Sequence, residues 1–145
     1  MIFDAQGRLL LLRRHAEDLG GGRWATPGGK IEPDEKPLAA AVREIKEESG
    51  LDIDPVYLGR HELRMPHGTV HIQTFKAHVY PDSEVIIDAF EHSAYRWFEL
   101  HNLLTVEQLI WGLPTTLADF GLIDIFDSDP TLHDGSKAIL LELGQ

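Results

Sequence analysis

The sequence predicts an α/β or α+β fold in which short β-strands are interleaved with two helices. Three observations carry that expectation. A length of 145 residues suits one domain covering residues 1–145. A hydrophobic content of 43% is enough to build a core. Segments rich in β-branched and aromatic residues alternate with two segments of helical pattern, and no apolar run approaches the roughly 18 residues of a membrane-spanning helix.

The elements follow in chain order. Ile2-Phe3, a turn at Asp4–Gly7, and Arg8–Arg13 read as strand, turn, strand, and Leu9–Leu12 is a continuous apolar run of strand length. Gly20-Gly21-Gly22 reads as a flexible connection, and Pro27-Gly28-Gly29 as a sharp turn between short extended pieces. From Pro37 to Ser49 the pattern is helical. Proline fits the first turn, where its missing N–H has no partner. Asp34 and Glu35 place negative charge at the positive end of the dipole, and Gly50 supplies a left-handed stop. Segments 53–65 and 69–80, joined by Pro66-His67-Gly68, read as strands, as does 95–98. Thr105 and Gln108 form a capping box that predicts a helix carrying Val106, Leu109, Ile110 and Leu113 on its apolar side. Pro114 is expected to kink or restart that helix, and Gly121 to end it. The tail at 127–135 reads as a loop, and 138–143 as a last short strand or helical turn.

Composition narrows function. Thirteen basic and 24 acidic residues give 13 − 24 = −11 with histidine neutral. The resulting pI near 5.0 argues against a nucleic-acid polymer as partner, because such binding is driven by basic side chains displacing counterions. Arg8, Arg13, Arg14, Arg23, Lys30, Lys36, Arg43 and Lys46 nevertheless gather in the first third, where they would suit a small anionic ligand, or form ordinary surface charge. The absence of cysteine excludes disulfides, thiolate zinc sites and catalytic thiols. No basic-then-apolar leader follows Met1, so the expected location is the cytoplasm, with no membrane partner.

The first helix carries the chemistry. At about 100° per residue, Leu38, Ala41, Val42, Ile45 and Ser49 fall in one stripe expected to pack on the sheet. Glu44, Glu47 and Glu48 fall together on another flank, where like charges repel and three converging carboxylates ask for a hard divalent cation. A solvated acidic face is the plain alternative. Arg43, four residues before Glu47, is placed to hold its carboxylate. Upstream, the Gly28-Gly29 turn lets backbone groups approach a ligand without Cβ interference.

Gly29, Glu35, Arg43, Glu44, Ile45, Glu47, Glu48, Gly50 and Leu51 resemble the Nudix box, G-x5-E-x7-R-E-U-x-E-E-x-G-U with U aliphatic. Every fixed position is present, and 24–32 looks like the family's usual lead-in. The strand–helix order extends the similarity from about residue 8 to 122. The resemblance implies an α/β/α sandwich around a mixed central β-sheet. It also implies Mg²⁺-dependent (or Mn²⁺-dependent) hydrolysis of a nucleoside diphosphate linked to another moiety. By position, Glu44, Glu47 and Glu48 are the metal-ligand candidates, with the Gly28 carbonyl as a backbone ligand. Glu35 and Arg43 would orient those carboxylates. Glu91, shortly ahead of Trp97, matches a later acidic residue of many members, and the base that deprotonates water is Glu91 or a box glutamate, Glu44 or Glu47.

Further candidates lie outside the box, some by the same resemblance and some by residue type alone. Arg14, Arg23 and Lys30 are candidates for substrate phosphates, the Arg14-to-Pro27 spacing being like that of MutT-like members. Trp111, Phe75 and Tyr80 are either base-stacking or core aromatics, and His92 is a candidate phosphate sensor beside Glu91. The implied reaction is pyrophosphohydrolysis, with a lean to nucleoside triphosphates over ADP-ribose or nucleotide sugars. A non-catalytic nucleotide-binding module is the alternative of another class, but such modules typically lose a box glutamate. An isoprenoid-type isomerase would need a cysteine. The first strand is shorter than in most members, which points either to a trimmed chain or to a short sheet edge completed by a second copy in a homodimer. Gly29-Lys30 lacks the Walker pattern, and Asp127-Ser128-Asp129 lacks the glycine and closing glutamate of a calcium loop.

Overall fold

The computed structural model describes residues 1–65 and 67–124. The tail loop and last element expected at 127–135 and 138–143 lie outside them. The strands are β1 (Ile2–Phe3), β2 (Leu9–Arg14), β3 (Trp24–Ala25), β4 (Val56–Met65), β5 (Gly68–His78) and β6 (His92–Phe98). The helices are α1 (Pro37–Ser49), a 3-10 helix (Leu100–Thr105) and α2 (Leu113–Asp119). The strands form one mixed sheet in the order β3-β2-β1-β5-β4, with β6 on the other side of β2. β1 runs parallel to β5, and β4 and β5 form a long antiparallel hairpin.

β2 is the hub. It pairs with β1 near one end (Phe3 with Leu9), with β3 near the other (Leu12 with Ala25), and with β6 along its opposite side. A strand paired on both sides and covered on both faces reads as an unbroken apolar run, which is what Leu9–Leu12 is. Leu9 and Leu11 face one core with Phe3, Leu103, Leu113 and Leu117. Leu10 and Leu12 face the other with Ile2, Ile45, Leu51 and Ala77. α1 therefore lies on one side of the sheet and α2 with the 3-10 helix on the other, an α/β/α sandwich.

Three expectations need correction. The short first strand is not an edge: β1 lies inside the sheet between β2 and β5, so it offers no unpaired edge to a second copy. The helix expected from Thr105 does not start there. The Thr105 hydroxyl donates back to the Asn102 carbonyl (2.7 Å), closing the 3-10 helix instead of capping a new one. The chain instead turns at Gln108, which has φ 62°, and Leu109 forms an isolated parallel bridge with Trp24, which donates to the Gln108 carbonyl and accepts from Ile110 (both 2.8 Å). Pro114 then sits in the first turn of α2, where proline is tolerated, so it opens the helix rather than bending it.

The third correction concerns α1. Its bounds are those expected, with proline in the first turn and Gly50 at φ 70° accepting the left-handed cap. Its buried residues, however, are Ala40, Ile45, Glu48 and Ser49, while Leu38 and Val42 are exposed. The helix is rolled toward its acidic flank because hydrogen bonds, not only apolar contacts, fix that flank to the preceding loop.

Candidate active site

Those bonds define the site. The Arg43 guanidinium makes five hydrogen bonds, two to Glu35 (2.8 and 2.9 Å) and one each to Glu44 (2.9 Å), Glu47 (3.3 Å) and the Lys30 carbonyl (3.0 Å). The planar fork of arginine suits this bidentate grip on Glu35. The pair holds the Glu35 carboxyl well down, at about 2, through the Arg43 contact first and the Glu32 N–H second. Glu35 and Glu44 together raise Arg43 above its usual range. Arg43 thus ties the loop before α1 to the carboxylates on the helix.

Glycine is required where the loop crosses the helix. A Cβ built on Gly29 would fall inside the Glu44 carboxyl group. One residue earlier, the Gly28 N–H donates to Glu48 Oε2 at 2.8 Å. The Gly28 backbone therefore approaches Glu48 as a donor.

Glu48 is the unusual member. It is 5% exposed, and burial pushes its carboxyl up to about 7, with Glu44 and Glu91 adding repulsion that the Gly28 N–H and Arg14 only partly offset. Glu91, on the loop before β6, and His92 complete a group: one ligand atom from each of Glu48, Glu91 and His92 lies within 4.8 Å of the others. The imidazole of His92 is buried, and its burial and then Arg14 hold it below the usual histidine range. Arg14 pairs with His92 across the β2–β6 ladder, and its Nε is buried without a hydrogen-bond partner among the described residues.

The donor set fits a divalent cation. A buried carboxylate pressed by two further carboxylates carries negative charge that an ion with oxygen ligands would neutralise. Beside it a cleft of about 600 Å³ runs from Gly28, Gly29 and Glu44 past Phe75 on β5 to Trp111 and Thr116 at the start of α2.

The structure gathers some expected residues and separates others. Gly28, Glu44, Glu48, Glu91 and Arg14 converge, and Glu35 and Arg43 brace them. Glu47 hangs at the rim, its side chain 55% exposed. The exposed Lys30 meets the network through its carbonyl. Arg23 bonds the Leu109 carbonyl at 3.2 Å and lies over the Trp111 ring at 4.5 Å, tying β3 to the segment that precedes α2. Trp111 and Phe75 line the cleft, whereas Tyr80 is exposed and does not line it. His92, a candidate phosphate sensor from sequence, lies against Glu48. No spacing signal reveals this, since neighbours on a strand face opposite ways. Glu91 and His92 share the site because the loop turns into β6 between them.

The NUDIX domain family profile matches residues 1–120. This chain belongs to the Nudix hydrolase family. The CTP pyrophosphohydrolase of Escherichia coli K12 is 32% identical over 126 residues, 86% of each chain. The crystal structure of a MutT protein from Methanosarcina mazei Go1 superimposes with a TM-score of 0.75 at 29% identity, over 83% of this chain and 88% of that one. A MutT Nudix hydrolase from Burkholderia pseudomallei gives 0.68 at 26%, over 81% and 93%. As a Nudix pyrophosphohydrolase, the protein belongs to enzymes that generally use divalent metals and act on small nucleotides. Among its described residues no helix is long and apolar enough to cross a membrane.

Proposed function

We propose that this Nudix enzyme is a nucleoside triphosphate pyrophosphohydrolase using Mg²⁺, or Mn²⁺ in its place. The observation that carries the reading is the buried Glu48 amid Glu44, Glu91 and the Gly28 N–H, beside a cleft that Gly28, Glu44, Phe75 and Trp111 line. Similarity across 86% of the length of a CTP pyrophosphohydrolase supports the substrate class.

A bound divalent ion would neutralise the phosphate oxygens and acidify a water. Glu44, Glu48 and Glu91 would hold it, with Glu47 reaching in from the rim. Arg43 fixes Glu44 and Glu35 before substrate arrives, so no side-chain freedom is lost at the reacting centre. Glu91 is exposed and lies at the group's edge, so its free carboxylate oxygen is the base we assign for taking the proton from the attacking water. Water forms a new P–O bond, the bridging P–O bond breaks, and pyrophosphate leaves. Arg14, beside Glu48, takes a substrate phosphate, and the Trp111 ring stacks on the base.

A panel of nucleoside triphosphates, ADP-ribose and nucleotide sugars with Mg²⁺ tests this by product release. Triphosphates should turn over fastest, and Glu48→Gln should lower kcat by orders of magnitude with the fold intact. A preference for ADP-ribose or a nucleotide sugar would replace the substrate class, and unchanged rates in Glu48→Gln would remove the metal site.

A further inference from the structure

We propose that the imidazole of His92 is a nitrogen ligand to the divalent ion held by Glu48 and Glu91, giving the centre a mixed nitrogen–oxygen donor set. The inference rests on the hydrolase reading above and adds a residue outside the box to it. Two independent observations carry it.

The first is position. His92 Nε2 lies 3.9 Å from Glu48 Oε1. That is too long for a hydrogen bond, yet it lies within the range for two donors sharing one ion. Bonds of about 2.1 Å place donors of one octahedral ion roughly 3.0 to 4.2 Å apart. Glu91 offers a third atom within the same 4.8 Å group.

The second is the state of the ring. The His92 side chain is only 9% exposed, and Nδ1 is buried with no hydrogen-bond partner among the described residues. Nε2, the nitrogen that faces the Glu48 oxygen, makes no hydrogen bond among the described residues. A buried ring nitrogen without a partner is costly, and an ion at Nε2 would supply that atom's partner. β6 begins at His92, which pairs with Arg14 of β2, so the ring is presented from a strand, while Glu91 comes from the adjoining turn, where its N–H donates to the Asp88 carbonyl. Of the ions the family's chemistry allows, imidazole suits Mn²⁺ better than Mg²⁺, which prefers oxygen. The chemistry expected of this centre is therefore a preference for Mn²⁺ over Mg²⁺.

The test is electron spin-echo spectroscopy of the full chain with less than one equivalent of Mn²⁺ and no nucleotide, so that every nitrogen belongs to the protein. A ¹⁴N coupling of directly bound imidazole is expected, converted to the ¹⁵N pattern by ¹⁵N-histidine labelling. His92→Gln should abolish it and weaken Mn²⁺ binding at least about tenfold, with Mg²⁺ affinity changed much less. His15→Gln, altering the other imidazole nearby, should leave the coupling in place. A wild-type spectrum without nitrogen coupling overturns the proposal, and it does so even if His92→Gln does not fold. Wild-type hydrolysis in the same sample separates the two readings. Turnover without nitrogen coupling removes His92 alone, whereas coupling without turnover on any nucleotide upholds the ligand and removes the hydrolase reading.

Discussion

At the scale of single residues, Glu48 converts burial into a dependence on pH. Its carboxyl sits at about 7 in the metal-free fold against 4.5 in an ordinary environment. Between those values the folded chain keeps a proton that the unfolded chain has released. The contribution is therefore fully present below about 4.5, declines as pH rises, and above about 7 leaves a deficit of roughly 3 kcal/mol. A divalent cation on the ionised carboxylate, as proposed, would oppose that deficit. In EDTA, Glu48→Gln should melt higher than the wild type at pH 8 but not at pH 4.5, and should lose the Tm gain that Mg²⁺ gives the wild type. Parallel wild-type and variant melting curves across that range would assign the pH dependence to other groups. Arg43 gives a complementary case. Lysine preserves the charge but offers no planar fork, so Arg43→Lys cannot hold Glu35, Glu44, Glu47 and the Lys30 carbonyl together. Turnover or Mg²⁺ affinity should fall about 10–100-fold, the usual scale for residues that orient ligands. A Mg²⁺ activation curve superimposable on the wild type would show that the network does not organise the carboxylates.

At the scale of elements, the legible parts of the sequence were those fixed by local chemistry. Pro37 and Gly50 delimit α1 because each suits only its own end of a helix. The box glutamates could be placed on one flank because their spacing is helical. What was hidden depended on partners distant in the chain. Thr105 and Gln108 have the form of a capping box, yet Trp24 of the edge strand β3 claims the backbone around Leu109. The apolar stripe of α1 misjudged its inward face because Glu48 is itself buried there. The seat of α2 was hidden too, and it leads to a prediction. Gly59 lies at the register shift in the β4–β5 hairpin, and a Cβ there would come within 2.9 Å of the Phe120 ring that follows α2. Gly59→Val should push Phe120 and α2 off the sheet and cost about 1–3 kcal/mol. Because Trp111, Leu113 and Thr116 line the cleft, KM should rise more than kcat falls. A variant with wild-type Tm and KM would show that α2 does not depend on this contact.

At the scale of the whole molecule, one strand joins the two cores. Leu9 and Leu11 are buried under α2, and Leu10 and Leu12 under α1 with Ile45. The four-leucine run forecast strand length from sequence, but not which helix each face would meet, since alternation fixes only that the faces differ. α1 and α2, both of which contribute to the cleft, thus lie on opposite sides of a shared strand, and neither layer can lose its packing without exposing β2. Leu10→Ala and Leu11→Ala, one per face, should each cost about 2–5 kcal/mol, the range for buried leucine truncation. Both should shift one common transition. Trp97 packs with the α1-side core and Trp24 with the α2-side core, so tryptophan fluorescence and far-UV circular dichroism should give coincident denaturation curves in both variants. The strand makes a further demand: Mg²⁺, bound on the α1 side, should raise the Tm of Leu11→Ala as much as that of Leu10→Ala. Separate transitions, or metal protection confined to one variant, would mean that the two layers unfold independently and that β2 does not couple them.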